Sequence, residues 1–230
     1  MISIITCTIR DDFFENIVHN FIQQLVTQKE LIIILNKNSL SLEKWKQQVE
    51  NLPFVSVYQL PEEYSLGECL NFGIVKAKYD FIAKFDDDDY YGPYFLEEAL
   101  NVIRDTNCSI IGKASFYTYF KTSKALAIFN SSKENKTING ERDFLSGATL
   151  VFKKAIFTNV QFPKLNVGED TVFQRNCLKK GLRLYSTSLR NFVHFRYNSR
   201  THHTSDVKNE RFIKKCKIII YTNDFRPYID

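Results

Sequence analysis

The sequence predicts an α/β fold with a mostly parallel, Rossmann-like central sheet flanked by helices. The first observation is that short apolar, strand-like segments alternate with helix-like segments over residues 2 to 103. The second is that each intervening segment is long enough to form the crossover helix of a βαβ unit. The third is the composition, 44% hydrophobic and 25% charged, which is typical of a globular chain.

The first half of the chain gives the clearest elements. Segment 2–8 is short and rich in isoleucine, without a charged residue, which predicts a buried strand. Segment 13–26 has apolar residues at positions 13, 14, 17, 18, 21, 22 and 25, which is a helical period. Further strands are predicted at 31–35, 54–60 and 81–85, and further helices at 42–49, 66–77 and 94–103.

The alternation changes after residue 107. Extended segments are predicted at 109–120 and 124–129, and the polar stretch 130–142 is predicted to be a mobile loop. A short strand at 149–152, a helix at 171–180 that ends before Gly181, and a strand at 191–196 follow. The tail, 207–221, suits either a helix or a strand. No repeat or linker divides the sequence, which predicts a single domain over residues 1–230.

Charge and cysteine content restrict the class of protein. The net charge of +5 is modest, and no basic motif interleaved with aromatic residues is present, so nucleic acid is not expected as a partner. The five cysteines are far apart without a CxxC pair, which predicts neither a zinc site nor a disulfide framework. No basic leader opens the sequence, and no apolar run approaches the ~20 residues of a membrane span. We therefore expect a cytoplasmic protein with at most peripheral membrane association.

Four consecutive aspartates, Asp86 to Asp89, directly follow the predicted strand 81–85. Adjacent carboxylates repel one another, and their burial is costly unless a cation neutralises them. Oxygen ligands of this kind suit Mn²⁺ or Mg²⁺, and α/β sheets bind ligands at the carboxyl ends of their strands. A solvated acidic turn is the alternative interpretation, but the position at the end of a strand favours a metal site.

The order of motifs over residues 2 to 200 resembles the family 2 glycosyltransferases, which have the GT-A fold. The aspartate run with Pro93 is similar to the family's Asp-x-Asp-Asp motif and its trailing proline. Gly67 and Asn71 lie in a segment that is similar to the family's glycine and Asn-x-Gly segment. Glu169 and Asp170 resemble the family's Glu-Asp motif, whose aspartate is the general base in inverting members.

Some positions depart from the family pattern. After the first strand, Cys7 stands in place of the usual proline, and Ile9-Arg10 in place of the usual Tyr-Asn. Asn36 follows the second strand, where the family generally carries an aspartate that contacts the base. An asparagine can still donate to or accept from a uracil-like edge.

The resemblance implies a metal-dependent, inverting transfer of a sugar from a nucleotide-diphosphate donor, with a UDP-sugar favoured. The acceptor would be the hydroxyl of a glycan, a lipid-linked or a protein-linked molecule, in bacterial surface or spore polysaccharide synthesis. The cofactor would be Mn²⁺ or Mg²⁺. Residues 1–106 would form the nucleotide-sugar-binding half, 107–206 the acceptor-binding half and 207–230 a C-terminal tail. The implied site residues are Asp170 and Glu169 for catalysis, Thr8, Arg10, Asn36, Gly67, Asn71, Asp86 and Asp87 for the nucleotide sugar, and Asp88, Asp86 and His194 for the metal.

Two of these assignments have simpler alternatives. Carboxylates such as Glu169 and Asp170 also favour a helix N-terminus without any catalytic role. A histidine in an alternating strand, such as His194, is often merely packed.

A basic segment follows His194 and would either close over a diphosphate as a lid or remain a solvated loop. Its residues are Arg196, Arg200, His202 and His203.

Two other function classes compete with sugar transfer. A sugar nucleotidyltransferase would usually carry a glycine-rich loop after the first strand, and the turn at 8–12 contains no glycine. A non-catalytic nucleotide-sugar-binding module would keep the fold without turnover. Assays of transfer and hydrolysis across a panel of nucleotide sugars would separate it from an enzyme.

Overall fold

In the described residues of this computed structural model, the central sheet has eight strands, of which the first four in chain order lie side by side. The structure describes residues 1–141, 143–197 and 212–229. Arg200, His202, His203 and residues 207–211 of the predicted tail lie outside the described residues.

The first half of the sheet is parallel, as predicted. Strand β1 (Ile2–Thr8) lies between β2 (Lys29–Leu35) and β4 (Phe81–Lys84), and β3 (Val55–Gln59) pairs with the far side of β2. Because all four strands run in one direction, their carboxyl ends meet at one edge of the sheet. The residues that follow β1, β2 and β4 are therefore neighbours in space.

Five α-helices that lie wholly within the described residues connect and cover the strands. They are α1 (Phe14–Ile22), α2 (Leu42–Gln48), α3 (Leu66–Lys76), α4 (Phe95–Thr106) and α5 (Glu169–Lys179). Helix α3 begins with a capping box, in which Ser65 and Glu68 satisfy each other's backbone N–H groups. Helix α1 ends earlier than predicted, because Gln24 and the Leu25 N–H bond to the carbonyls of segment 91–93 instead of continuing the helix.

The second half of the central sheet mixes strand directions. Strand β10 (Val151–Lys153) is antiparallel to both β4 and β6 (Ile110–Gly112), whereas β11 (Leu184–Ser186) is parallel to β6. The predicted loop 130–142 contains a strand, β9 (Lys136–Ile138), which pairs with β11. The strand order across the sheet is therefore β3-β2-β1-β4-β10-β6-β11-β9. The predicted strand 149–152 starts late, because residues Gly147–Thr149 form a 3₁₀ turn.

A second sheet, which the sequence did not predict, lies beside the central one. Its strand order is β13-β8-β7-β12-β5. The strands are β5 (Tyr90–Tyr91), β7 (Phe116–Phe120), β8 (Ala125–Phe129), β12 (Phe192–Arg196) and β13 (Cys216–Tyr221). Strand β5 directly follows the four aspartates, so this sheet meets the central one at the acidic residues. Of the two alternatives for the tail, the described part at 216–221 is a strand.

The core lies on both faces of the central sheet. Along β1, Ile4 packs into one apolar cluster with Ile33 and Trp45, while Ile5 packs into a second cluster on the opposite face. Every residue of β1 except Cys7 is buried, which explains why its sequence contains no charged residue. The two-sided packing fixes the strand ends that carry the polar residues.

Candidate active site

Asp87 is held by residues at the end of β1. Its carboxylate accepts hydrogen bonds from Thr8 Oγ1 at 2.6 Å and from Arg10 Nε at 3.2 Å, and Arg10 Nη2 forms an ion pair with it. The side chain of Asp87 is only 7% exposed. Thr8 and Arg10 therefore act first as partners of the acidic turn, the name used here for residues 86–89.

Asp88 has less compensation for its charge than Asp87. Arg10 Nη2 contacts it at 3.1 Å while also pairing with Asp87. Burial, together with the charges of Asp89 and Asp87, raises the pKa of Asp88 to about 7 in spite of Arg10. A carboxylate with so high a pKa is one whose negative charge would be stabilised by an additional cation.

Asp89 points the other way, into the second sheet. It is 1% exposed, and its carboxylate accepts hydrogen bonds from the Phe195 N–H at 2.9 Å and from His194 Nδ1 at 3.0 Å. Burial lowers the pKa of His194, but the charge of Asp89 and the hydrogen bond to it outweigh burial, so the pKa is raised. Asp89 thus orients the His194 ring, as a carboxylate does for many metal-binding histidines.

The backbone of the acidic turn is held by helix α1. Asn16 Nδ2 donates to the carbonyls of Asp87 and Asp89 at 2.7 and 2.9 Å, and Asn20 Nδ2 donates to the Asp89 carbonyl at 2.9 Å. The two asparagines are four residues apart and therefore share one face of the helix. They fix the turn in a shape that sends successive carboxylates in different directions.

Asp86 lies on the side of the turn that faces the second half of the chain. Its carboxylate forms an ion pair with Lys84, and its side chain is 39% exposed. Its N–H donates to Tyr91 Oη at 2.7 Å, and that hydroxyl donates to the Ala148 carbonyl at 2.7 Å. Tyr91 thus connects the acidic turn to the 3₁₀ turn at 147–149.

The predicted base residues lie at the start of α5, next to that same 3₁₀ turn. Glu169 is 5% exposed, and burial raises its pKa to about 7, with Asp170 adding to the effect and Lys84 opposing it. Asp170 is half-buried, and its Oδ1 accepts from the Thr171 N–H at 2.7 Å. A Cβ added to Gly147 would lie 2.5 Å from Asp170 Oδ2, so the absence of a side chain at 147 makes room for this carboxylate.

Three predicted nucleotide-binding residues make structural contacts. Asn36 Nδ2 donates to the Pro61 carbonyl at 2.7 Å. A Cβ on Gly67 would meet the Pro163 carbonyl oxygen at 1.8 Å, so only glycine allows this approach. Asn71 exchanges two hydrogen bonds with the Phe162 backbone, at 2.9 and 3.0 Å. These contacts hold loops in place, and binding of the nucleotide sugar by the three residues stays a prediction.

Arg196, from the predicted lid, is part of the interior. It is 3% exposed, and its guanidinium lies 4.8 Å from the centre of the Phe212 ring. Burial lowers its pKa although the charge of Asp89 opposes this. Arg196 is therefore neither a solvated loop residue nor a member of an exposed lid.

The donor set suits a hard divalent cation whose coordination is completed by a substrate. Among the residues that the structure describes, no three His, Cys, Asp or Glu side chains are grouped so as to hold a metal ion. Mg²⁺ is usually bound through one or two carboxylates plus substrate phosphates and water, so a full protein cage is not required. Asp88, with its raised pKa and an Arg10 contact that it shares with Asp87, is the carboxylate that best fits this role, and Asp86 and His194 flank it.

Sequence reasoning missed several residues of this site. Lys84 interrupts an otherwise apolar strand two residues before Asp86, and that interruption is a signal visible in the sequence. The pair Asn16 and Asn20 also carries a signal, since two amides share one face of an apolar helix. Tyr91 and Gly147 carry none, because their contacts join segments that are far apart in the chain.

A family model decides the classification. The model described as glycosyl transferase family 2 matches residues 3–160, which include the whole acidic turn. The chain belongs to glycosyl transferase family 2. The recognition made from the motifs is thereby confirmed.

Curated relatives are similar over a limited region. Poly-beta-1,6-N-acetyl-D-glucosamine synthase of Staphylococcus aureus (strain MSSA476) is 26% identical over 170 residues, which is 69% of this chain and 40% of the relative. The same protein of strain COL gives the same identity and coverage. The chain thus spans about 40% of the length of the curated relatives that it matches.

Solved structures confirm the GT-A-like fold. S. aureus TarS 1-349 in complex with UDP-GlcNAc matches with a TM-score of 0.70 at 15% identity, covering 93% of this chain and 63% of that one. The complex of TarS 1-349 with UDP matches with a TM-score of 0.67 at 16% identity, covering 85% and 60%. At such identities the likeness establishes the fold alone. In the described ranges, no helix combines the length and the apolar character that crossing a bilayer demands.

Proposed function

We propose that this domain is a metal-dependent, inverting glycosyltransferase. It transfers a sugar from a nucleotide-diphosphate donor, with a UDP-sugar favoured, to a hydroxyl acceptor. The TarS structures in complex with UDP-GlcNAc and with UDP support a uridine nucleotide as the donor. The poly-N-acetylglucosamine synthases among the relatives support an N-acetylglucosamine donor and a role in bacterial surface polysaccharide synthesis, with a glycan as the acceptor.

One observation carries the proposal. Two acidic motifs, 84 residues apart in the sequence between Asp86 and Asp170, meet beside the same 3₁₀ turn. Tyr91 bonds the turn to the first motif, and Gly147 packs against the carboxylate of the second. One motif suits a diphosphate with its cation and the other suits proton removal. A transferase needs both functions at one place, whereas a binding module needs only the first.

The transfer needs one proton acceptor. As the acceptor oxygen attacks the anomeric carbon, the new carbon–oxygen bond forms and the bond from that carbon to the diphosphate oxygen breaks. Asp170 takes the hydroxyl proton, and the nucleoside diphosphate leaves with the bonding electron pair. Attack from the face opposite the leaving group inverts the anomeric centre. Asp170 is favoured over Glu169 because it is the more accessible carboxylate.

The cation would be held by Asp88, with Asp86 and His194 beside it. When bound, Mn²⁺ or Mg²⁺ offsets the negative charge of the leaving diphosphate. Arg10 lies at the same carboxylates and is placed to contact the phosphates from the β1 side. Thr8 keeps Asp87 directed towards Arg10.

A thermal-shift and turnover screen tests the proposal. Purified protein is incubated with UDP-, GDP-, ADP- and TDP-sugars, with Mn²⁺, with Mg²⁺ or with EDTA, and release of the nucleoside diphosphate is followed with and without glycan acceptors. We expect stabilisation by a UDP-sugar and by UDP, and release that requires the cation. Binding without release under any condition would favour a non-catalytic module. Pyrophosphate-dependent formation of a nucleoside triphosphate would indicate a nucleotidyltransferase.

Metal binding is expected to strengthen as the pH rises from 6 to 8. Asp88 has a pKa of about 7 before a cation binds, so at pH 6 the cation has to displace a proton. Titration of Mn²⁺ with UDP by calorimetry should show weaker binding and more proton release at pH 6 than at pH 8. The variant Asp88→Asn removes the titrating group and controls for protonation of the nucleotide. Equal pH dependence in both proteins would contradict the assignment of Asp88.

Gly147→Ala is expected to lower the rate of transfer by about 10²-fold, the cost of a misplacement near 1 Å. The added Cβ would lie 2.5 Å from Asp170 Oδ2 and 2.9 Å from its Cβ and Cγ, so the carboxylate has to move. Nucleotide binding should stay unchanged, because the substitution is made on the acceptor side. Kinetics and UDP titrations on the same preparation check this. A variant with normal kcat would show that the position of Asp170 is not critical.

A further inference from the structure

We propose that Lys84 is a positioning residue that joins the donor-side and acceptor-side carboxylates of the transfer site. This inference rests on the proposed function, since it concerns how the two acidic motifs of that site are held together.

Lys84 is a buried cation on the strand that leads to the acidic turn. Its side chain is 6% exposed, and its ammonium group forms an ion pair with Asp86. Its backbone N–H donates to the Leu150 carbonyl at 2.9 Å, which places it directly beside the 3₁₀ turn. A charge is rarely buried in the end of a central strand unless a partner compensates it.

The charges around Lys84 come from both acidic motifs. Burial alone would lower the pKa of the ammonium group, but Asp86, Glu169 and Asp170 together raise it instead. The ion pair with Asp86 holds the ammonium group on the donor side, and Glu169 and Asp170 on the acceptor side act on it through their charges. Without Lys84, these carboxyl groups would lose their shared cation.

The physical consequence is a fixed spacing between the two sides of the site. Lys84 attracts Asp86 from the acidic turn and Glu169 and Asp170 from helix α5. Tyr91 supplies a neutral hydrogen-bonded link in parallel, through Ala148. Lys84 touches the donor side through Asp86, while the ion pair between Arg10 and Asp88 does not include Lys84. Loss of Lys84 should therefore lower turnover, which needs both sides of the site, more than donor binding, which keeps Arg10 and Asp88.

The test separates the effect of the charge at position 84 from the effect of the side chain's volume. Lys84→Met keeps an unbranched side chain of similar length, and we expect kcat to fall by about tenfold to a hundredfold, the value of one hydrogen bond to a charged group. The donor KM should change less than kcat, because Arg10 and Asp88 keep their contact. Lys84→Arg restores the charge and should recover part of kcat. Should Lys84→Met fail to fold, Lys84→Gln, which is neutral but still donates a hydrogen bond, takes its place.

Lys29→Met serves as the matched control. Lys29 is a half-buried lysine at the start of β2. It lies at the amino-terminal ends of the parallel strands, away from the site at their carboxyl ends, and we expect its replacement to leave kcat unchanged. Normal kcat in folded Lys84→Met, or an equal loss in Lys84→Arg, would overturn the role of Lys84 while leaving the proposed function in place. A wild-type protein that turns over no nucleotide sugar would overturn both.

Discussion

Asp170→Asn is expected to abolish sugar transfer while leaving donor binding close to normal. An asparagine has nearly the same shape but cannot accept the acceptor's proton, so the loss should be about 10²–10⁴-fold, the range for general base catalysis. The amide oxygen can still accept from the Thr171 N–H, which preserves the start of α5. Release of nucleoside diphosphate measures turnover, and calorimetry with the donor measures binding.

The neighbouring carboxylate provides the control for this prediction. Glu169→Gln should lose less activity than Asp170→Asn, because Glu169 is 5% exposed and therefore poorly accessible to an acceptor. Glu169 nevertheless has a pKa of about 7, a value suited to proton transfer at neutral pH. A larger loss in Glu169→Gln than in Asp170→Asn would reverse the assignment and make Glu169 the base.

The fold of the first half was predictable because its elements are local. Segment 2–8 contains no charged residue, since β1 is buried on both faces, and its predicted bounds agree with the structure. The position of the acidic turn followed from the end of the preceding strand. Helix α1 was predicted too long. It ends early because Gln24 and Leu25 donate hydrogen bonds to carbonyls of segment 91–93, about 68 residues away in the sequence, which local patterns do not reveal.

The second half was harder to predict because its pairings are distant. Strand β5 has only two residues, and its partner β12 lies about a hundred residues later in the sequence. A two-residue strand is too short to show a periodicity from which such a pairing could be predicted. Asp87 and Asp89 point in different directions because of this sheet and the amides of Asn16 and Asn20. The sequence could therefore predict that the carboxylates share one turn, but not which partners each of them contacts.

Asp89→Asn is expected to destabilise the fold by about 1.5–3 kcal/mol, the range for a buried hydrogen bond to a charged group. Asp89 is 1% exposed and links the acidic turn to β12 through His194 and the Phe195 N–H. The asparagine oxygen can still accept from the Phe195 N–H, so the predicted loss is that of the charged contact with His194. Urea denaturation of the two proteins at equal pH measures it. Asp224→Asn, which removes an exposed pair with Arg226, should give no measurable change.

The pH dependence of that difference distinguishes an ion pair from simple packing. The pKa of His194 is raised in the folded protein, so the stability from its protonated form is fully present below its unfolded pKa of about 6.5. It is lost as the pH rises through the higher folded pKa. The difference in unfolding free energy between wild type and Asp89→Asn should therefore be largest near pH 6 and should shrink towards pH 9. A difference that is constant or grows with pH would show that Asp89 acts through its shape and not through the charge on His194.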